Sequence, residues 1–228
     1  YLEESFKEIG IPNVVTSVLA SYRGYDTLGE TAVILTAGIG VIPAGIDIAA
    51  HRAQPGDRVI VNGWLGDHGA AILHARGDLA LDAPIDSDCG PLNGLVAEVL
   101  AICPDLHCLR DATRGGVATV LNEFAASAGV AVRLEQDAIP VRESVRGICE
   151  ILGLDPIYLA NEGKLVAVVP DERAAAVLAA MRSHPAGRDA AIIGQIAASP
   201  RGRVLMRTPF GSDRVVDMLT SEQLPRIC

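Results

Sequence analysis

From Arg58 to Met218 the chain alternates short β-branched runs with longer segments of helical period, and few folds satisfy that alternation. Residues 58–62, 107–110, 130–134, 165–169, 190–196, 203–206 and 214–218 read as strands, being rich in Val, Ile and Leu and bounded by turn residues. Between them lie helical segments. One runs through residues 70–75. A second follows Pro91, which sits where a helix N1 proline belongs, and lines one face with Leu92, Leu95, Val96, Val99 and Leu100. A third follows Gly116 with Val120, Leu121, Phe124 and Ala125 inward, and two more cover 141–152 and 172–182. Half the residues are hydrophobic but only 4% are aromatic, so the core is aliphatic. Such a pattern predicts an α/β or α+β sandwich with helices on one face of a sheet. Pro55-Gly56-Asp57 carries type II turn chemistry and delivers the first of these strands, which places a domain boundary near Gln54. Upstream, residues 31–35 read as a strand, and Leu2, Phe6 and Ile9 share one helical face ahead of Gly10. The chain opens on Tyr1 in the middle of that pattern, as if its beginning were missing.

Composition narrows the function classes. No apolar run reaches the roughly 18 residues that span a bilayer, and the N-terminus lacks a charged-then-apolar leader, so a soluble, cytoplasmic protein is expected. A net charge of −9 without a basic stripe argues against a nucleic-acid surface. Phosphate ligands stay open, because helix N-termini bind anions whatever the net charge. The five cysteines, Cys89, Cys103, Cys108, Cys149 and Cys228, form no CxxC pair and predict neither a zinc site nor a disulfide framework. The four internal ones read as small buried hydrophobes.

Two stretches place glycines and an aspartate at the start of a helix: Gly66-Asp67-His68-Gly69 and Asp111-Ala112-Thr113-Arg114-Gly115-Gly116. Glycines there let a phosphate approach free amides, an aspartate can hold Mg²⁺, and an arginine can clamp a phosphoryl oxygen. Each stretch is equally consistent with a tight turn and an N-cap. Asn161-Glu162-Gly163-Lys164 precedes an apolar strand, where Glu162 could serve as a general base or simply sit in a solvated loop. His68, His107 and His184 have no partner at ligand spacing, and only His68, inside a glycine loop, stays a candidate. The chain ends Leu224-Pro225-Arg226-Ile227-Cys228. Pro225 favours an extended end, and a terminal thiol so carried is either a placed nucleophile or the last residue of a frayed terminus.

Taken together and in order, Gly66-Asp67-His68-Gly69, Arg110-Asp111-Ala112-Thr113-Arg114-Gly115-Gly116-Val117, Asn161-Glu162-Gly163-Lys164-Leu165-Val166, Ser183-His184-Pro185 and the terminal Pro-Arg-Ile-Cys resemble the HypE family of hydrogenase maturation proteins. That family is related to aminoimidazole ribonucleotide synthetase, selenophosphate synthetase and thiamine monophosphate kinase. The resemblance runs from about Thr36 to Cys228. It implies a PurM-like two-domain α+β architecture, with a mixed sheet, helices packed on one face, and an extended C-terminal tail. In these terms residues 1–54 are the remnant of an N-terminal ATP-binding domain, 55–218 the C-terminal domain, and 219–228 the tail. The implied activity is ATP-dependent dehydration of a carbamoyl group on Cys228 to a thiocyanate, which supplies cyanide ligands to nickel-iron hydrogenase. Cys228 is the implied acceptor thiol and Glu162 the base. Gly66, Asp67, His68, Asp111, Thr113, Arg114, Gly115, Gly116, Asn161 and Lys164 are the implied ATP-site residues. The implied partners are the carbamoyltransferase HypF, the HypC–HypD iron scaffold and a second copy of the protein.

One segment departs from the family. Where the family carries Val-Thr-Gly-Asp-Thr-Lys, this chain has Val15-Thr16-Ser17-Val18-Leu19-Ala20, with neither charge. Metal-binding aspartates expected further upstream are not in the chain, so the Mg²⁺ ligands are expected mainly in a missing N-terminal part and the 228 residues alone are expected to be inactive. Two other readings remain open: a non-catalytic carrier that presents Cys228, and another ATP-dependent kinase or synthetase of the superfamily.

Overall fold

The computed structural model describes residues 47–75 and 85–219. Segments 2–10, 15–20 and 31–35, and the tail with Cys228, lie outside the described residues. The chain divides into two compact units, Tyr1–Gly45 and Ile46–Cys228, and the second carries the architecture below.

Seven strands form one sheet: β1 (Arg58–Val61), β2 (Cys108–Asp111), β3 (Ala131–Glu135), β4 (Leu165–Val169), β5 (Ala191–Ala197), β6 (Arg203–Arg207) and β7 (Asp213–Val216). Their order is β2-β4-β1-β5-β3-β6-β7. The β3–β6 pair is parallel and the other pairs antiparallel, so the sheet is mixed. Among the described residues five helices accompany it: α1 (Asp67–Ala75), α2 (Asn93–Ile102), α3 (Gly116–Ala128), α4 (Glu143–Leu152) and α5 (Asp171–Ser183).

Helices cover both faces of this sheet, where the sequence reading put them on one. Val59, Val61, Val166 and Val168 point to the side on which α3 buries Val117, Val120, Leu121 and Phe124. Ile60, Leu165, Ala167 and Val169 point to the other side, against Leu95 and Val99 of α2 and Val177 and Met181 of α5. The cause is visible in β4: Leu-Val-Ala-Val-Val is buried at every position, and a continuous apolar run rather than an alternating one marks a strand covered on two sides. Each fully buried Val, Leu or Phe contributes about 1.5–3 kcal/mol, so these two aliphatic layers supply the core. A third, smaller cluster joins Ala70 and Leu73 of α1 to Val145, Ile148 and Cys149 of α4 and to Leu159.

Two local expectations change. Helix α2 starts at Asn93 with Leu92 as its cap residue, whose carbonyl already accepts from the Val96 amide, so Pro91 lies just outside the helix and not at N1. Cys103, Cys108 and Cys149 are buried as read, but Cys89 is exposed, because it sits in a loop ahead of α2. Ahead of Gln54, the Ala49 amide donates to the His107 carbonyl at 3.1 Å, and Ala53 joins the core on the α3 side.

Candidate active site

Strand pairing brings the three internal motifs to one edge of the sheet. β4 runs antiparallel to both β1 and β2, with Val61 opposite Val166 and Asp111 opposite Leu165. The C-terminal ends of β1 and β2 therefore meet the N-terminal end of β4. The loop after β1 ends on Gly66, next to Asp67 at the start of α1; β2 ends on Asp111 and the loop after it holds Ala112 to Gly115, ahead of Gly116 in α3; and the loop before β4 holds Asn161 to Lys164.

Asn161 ties them together. Its Oδ1 accepts from the Gly66 amide at 2.8 Å, and its Nδ2 donates to the Ala112 and Leu159 carbonyls at 3.1 and 3.0 Å. The side chain is buried and bonded to backbone on both ends, so it braces the loops. Asn62, which belongs to none of the sequence motifs, acts in parallel: its Oδ1 accepts from the Leu165 amide and its Nδ2 donates to the Gly163 and Ala186 carbonyls.

Gly115 and Gly116 open α3 with φ of +71° and +60°. A Cβ on Gly116 would lie 2.4 Å from the Ile157 carbonyl oxygen and 2.6 Å from that of Leu159. The left-handed turn and this close approach demand glycine by themselves, independently of any phosphate. Asp111 and Arg114 are exposed on the same loop, and the Thr113 hydroxyl donates to Asp111 Oδ2 at 3.0 Å. Arg110 is engaged in an ion pair with Glu123 of α3.

A cleft of about 450 Å³ opens beside Asp67 and Lys164, lined further by Asp86, Ser87, Asp88, Arg142 and Ser144. Asp67, the first residue of α1, is buried; its Oδ2 accepts from Arg142 Nε at 3.0 Å, while Oδ1 has no hydrogen-bond partner among the described residues. Burial pushes this carboxyl above its ordinary range, against the opposing pull of the Arg142 hydrogen bond and charge. Arg142 also lies over the Trp64 ring, 5.1 Å from its centre, a cation–π contact that fixes the guanidinium. Lys164 Nζ pairs with Asp88 Oδ2 at 2.9 Å, both side chains being largely buried. One of its three N–H donors is thus spent on Asp88, and the side chain also lines the cleft. Glu162, between Asn161 and Lys164, has an exposed side chain, and its amide donates to Asp88 Oδ1 at 3.0 Å.

The histidines gain partners. His68 Nδ1 lies 2.8 Å from Ser87 Oγ, and His107 Nδ1 lies 2.8 Å from Asp57 Oδ2 in a buried pair. His184 Nδ1 accepts from the Ala186 amide at 3.1 Å. Among the described residues no three His, Cys, Asp or Glu side chains gather in a way that could hold a metal ion. Asp88, Arg142 and Trp64 were missed in the sequence. Asp88 lies in the polar run Asp86-Ser87-Asp88-Cys89-Gly90, a signal that could have drawn attention; Arg142 and Trp64 carry no local pattern.

Comparison with known proteins places this geometry. Residues 54–207 match the family model described as AIR synthase related protein, C-terminal domain. The carbamoyl dehydratase HypE of Rhodobacter capsulatus is 57% identical over 195 residues, covering 86% of this chain and 57% of that protein. That of Azotobacter vinelandii is 50% identical over 222 residues, covering 97% and 64%. That of Escherichia coli K12 is 43% identical over 240 residues, covering 100% and 70%. The chain belongs to the HypE family. It spans less than two thirds of the length of the first two relatives. Among solved structures, hydrogenase maturation protein HypE in complex with ATP is similar at a TM-score of 0.73 and 44% identity, over 77% of this chain and 54% of that one. A HypE–HypF complex is similar at a TM-score of 0.72 and 43% identity, over 75% and 55%. The PurM-like mixed sheet with its helices is thus the HypE fold. Among the described residues, no helix is long and apolar enough to cross a membrane.

Proposed function

We propose that this protein is an ATP-dependent carbamoyl dehydratase that acts on its own C-terminal cysteine during nickel-iron hydrogenase maturation. The observation that carries the reading is the placement of Glu162: an exposed carboxylate at the sheet edge where the three HypE motifs meet, on a loop braced by Asn161 on one side and the Lys164–Asp88 pair on the other. A base held on a braced loop suits proton abstraction from an amide. Cys228, as thiolate, accepts a carbamoyl group from HypF. The amide oxygen of the S-carbamoyl group then attacks the γ-phosphorus of ATP and ADP leaves, while Glu162 takes one N–H proton. The second N–H proton passes to solvent water as the C–O bond breaks, releasing phosphate and leaving Cys228 as the thiocyanate. Phosphorylation converts the amide oxygen into a leaving group, which is why ATP is consumed.

Asp111, Thr113 and Arg114 at the start of α3 suit the phosphate side of this reaction, since a guanidinium there can clamp a phosphoryl oxygen. The described residues do not by themselves fit a Mg²⁺ site, so no step is assigned to the ion. HypF as carbamoyl donor, the HypC–HypD complex as acceptor of the cyano group, a homodimer and a cytoplasmic location belong to the same proposal. The test is the mass of the C-terminal peptide of the full-length protein after incubation with HypF, carbamoyl phosphate and ATP. A carbamoyl adduct on Cys228 that loses one water only when ATP is present is expected; an adduct that persists with ATP, or maturation that survives Cys228→Ala, overturns the proposal.

A further inference from the structure

Asp88 is outside every motif above, yet its carboxylate grips the Glu162 loop at two points. Oδ1 accepts from the Glu162 amide at 3.0 Å and Oδ2 from Lys164 Nζ at 2.9 Å, with only 3% of the Asp88 side chain exposed. Between these two bonds the backbones touch: a Cβ on Gly163 would lie 1.9 Å from the Asp88 carbonyl oxygen, so glycine is required for the loop to seat. The segment carrying Asp88 is anchored in turn. Ser87 Oγ accepts from the Cys89 amide at 3.2 Å and meets His68 Nδ1 of α1 at 2.8 Å. The Lys164 stem packs over Gly63, where a Cβ would stand 3.4 Å from Lys164 Cε.

An exposed loop residue such as Glu162 could give its amide to water at little cost; here the amide is taken by a buried carboxylate instead. We infer that Asp88 is a positioning residue for the Glu162 carboxylate: it fixes the Glu162 main chain so that the base meets the amide protons in one geometry. The inference rests on the reading of Glu162 as base. Its distinguishing feature is that the Oδ1 bond to the Glu162 amide, and not the Oδ2 pair with Lys164, carries the effect.

Two double variants of the full-length protein separate those bonds. Asp88→Asn/Lys164→Met keeps an acceptor for the Glu162 amide and leaves no buried charge, while Asp88→Leu/Lys164→Met removes both bonds and also leaves no buried charge. The Leu double is expected to convert the carbamoyl-cysteine about 10²-fold more slowly in kcat than the Asn double, with KM for ATP the same within about threefold, because a base displaced by about 1 Å loses that much. Equal kcat for the two doubles overturns the inference, since an ion pair of purely structural value would be replaced equally well by either. If the Leu double does not fold, Asp88→Ala in the Lys164→Met background makes the same comparison. Hydrogen–deuterium exchange of a peptide covering residues 161–165 is independent of turnover: faster exchange in the variant without an acceptor is expected, and equal protection overturns the inference. Should the wild-type protein fail to dehydrate the adduct, the functional reading falls, and the exchange result alone decides whether Asp88 positions Glu162.

Discussion

The side-chain oxygen of Asn161 stands 2.8 Å from the amide nitrogen of Gly66, ninety-five residues earlier in the chain. The same side chain donates to the carbonyls of Ala112 and Leu159, so one buried amide closes all three site loops. Asn161→Asp replaces a double donor with an oxygen facing two carbonyl oxygens. Losing those two bonds while leaving the acceptors buried costs about 2–5 kcal/mol, which urea unfolding of wild type and variant would measure. A variant as stable as wild type would mean that the clamp does not hold the loops.

Gly116 and Gly129 have nearly the same φ, +60° and +64°, but different surroundings. A Cβ on Gly116 meets carbonyl oxygens at 2.4 and 2.6 Å, whereas one on Gly129 meets nothing within 4 Å. Gly129→Ala should therefore cost only the left-handed backbone strain, about 1–2 kcal/mol. Gly116→Ala should cost about 2–5 kcal/mol, strain and overpacking together, and should displace the Asp111 loop. Thermal melts of the two variants side by side test the contrast, and equal losses would contradict it.

Burial holds the Asp67 carboxyl above its ordinary value of 3.8, with Arg142 only partly offsetting it. The folded protein therefore binds this proton more tightly than the unfolded chain does. The contribution of Asp67 to stability is present in full below the ordinary carboxylate pKa and is lost as pH rises through the raised one. Asp67→Asn, which carries no titrating proton, should flatten the fall in melting temperature above pH 3.8. A pH series of melts checks this, and parallel curves for wild type and variant would count against it.

Thiol chemistry should sort the described cysteines cleanly. Burial pushes the Cys103 and Cys108 thiols up to about 12 and that of Cys149 to about 11, whereas Cys89 is exposed. In a Cys228→Ala background, Cys89 should react with a maleimide in the native protein, and the other three only after denaturant is added. Peptide mapping of the labelled protein reads this directly. Rapid native labelling of Cys108 would contradict the packing beneath β2.

Much of the architecture was legible along the chain. The sequence pattern predicts β4 at the bounds it has, and the other strands and the helices from β1 onward within about three residues of their positions, because aliphatic runs and helical periodicity are local signals. What escaped was whatever depends on a second layer. The strands looked one-sided because the helices of both faces follow one another in sequence without marking which face they take. Asp88, Arg142 and Trp64 escaped for a related reason: Asp88 acts on residues 74 and 76 positions away, and Arg142 on one 75 positions away. The spacing of a motif cannot show a partner that arrives from another element.

The sequence by itself determined the aliphatic core, the order of strands and helices, the glycine-marked loops and the HypE motifs, since each is written in neighbouring residues. The tertiary structure decided what those residues do. Antiparallel pairing of β4 with β1 and β2 gathers the three loops at one end of these strands, where Asn161 meets Gly66, Lys164 meets Asp88 and Glu162 is exposed. Whether a polar side chain serves the fold or a ligand depends on which distant groups satisfy its hydrogen bonds, and pairing across the sheet settles that.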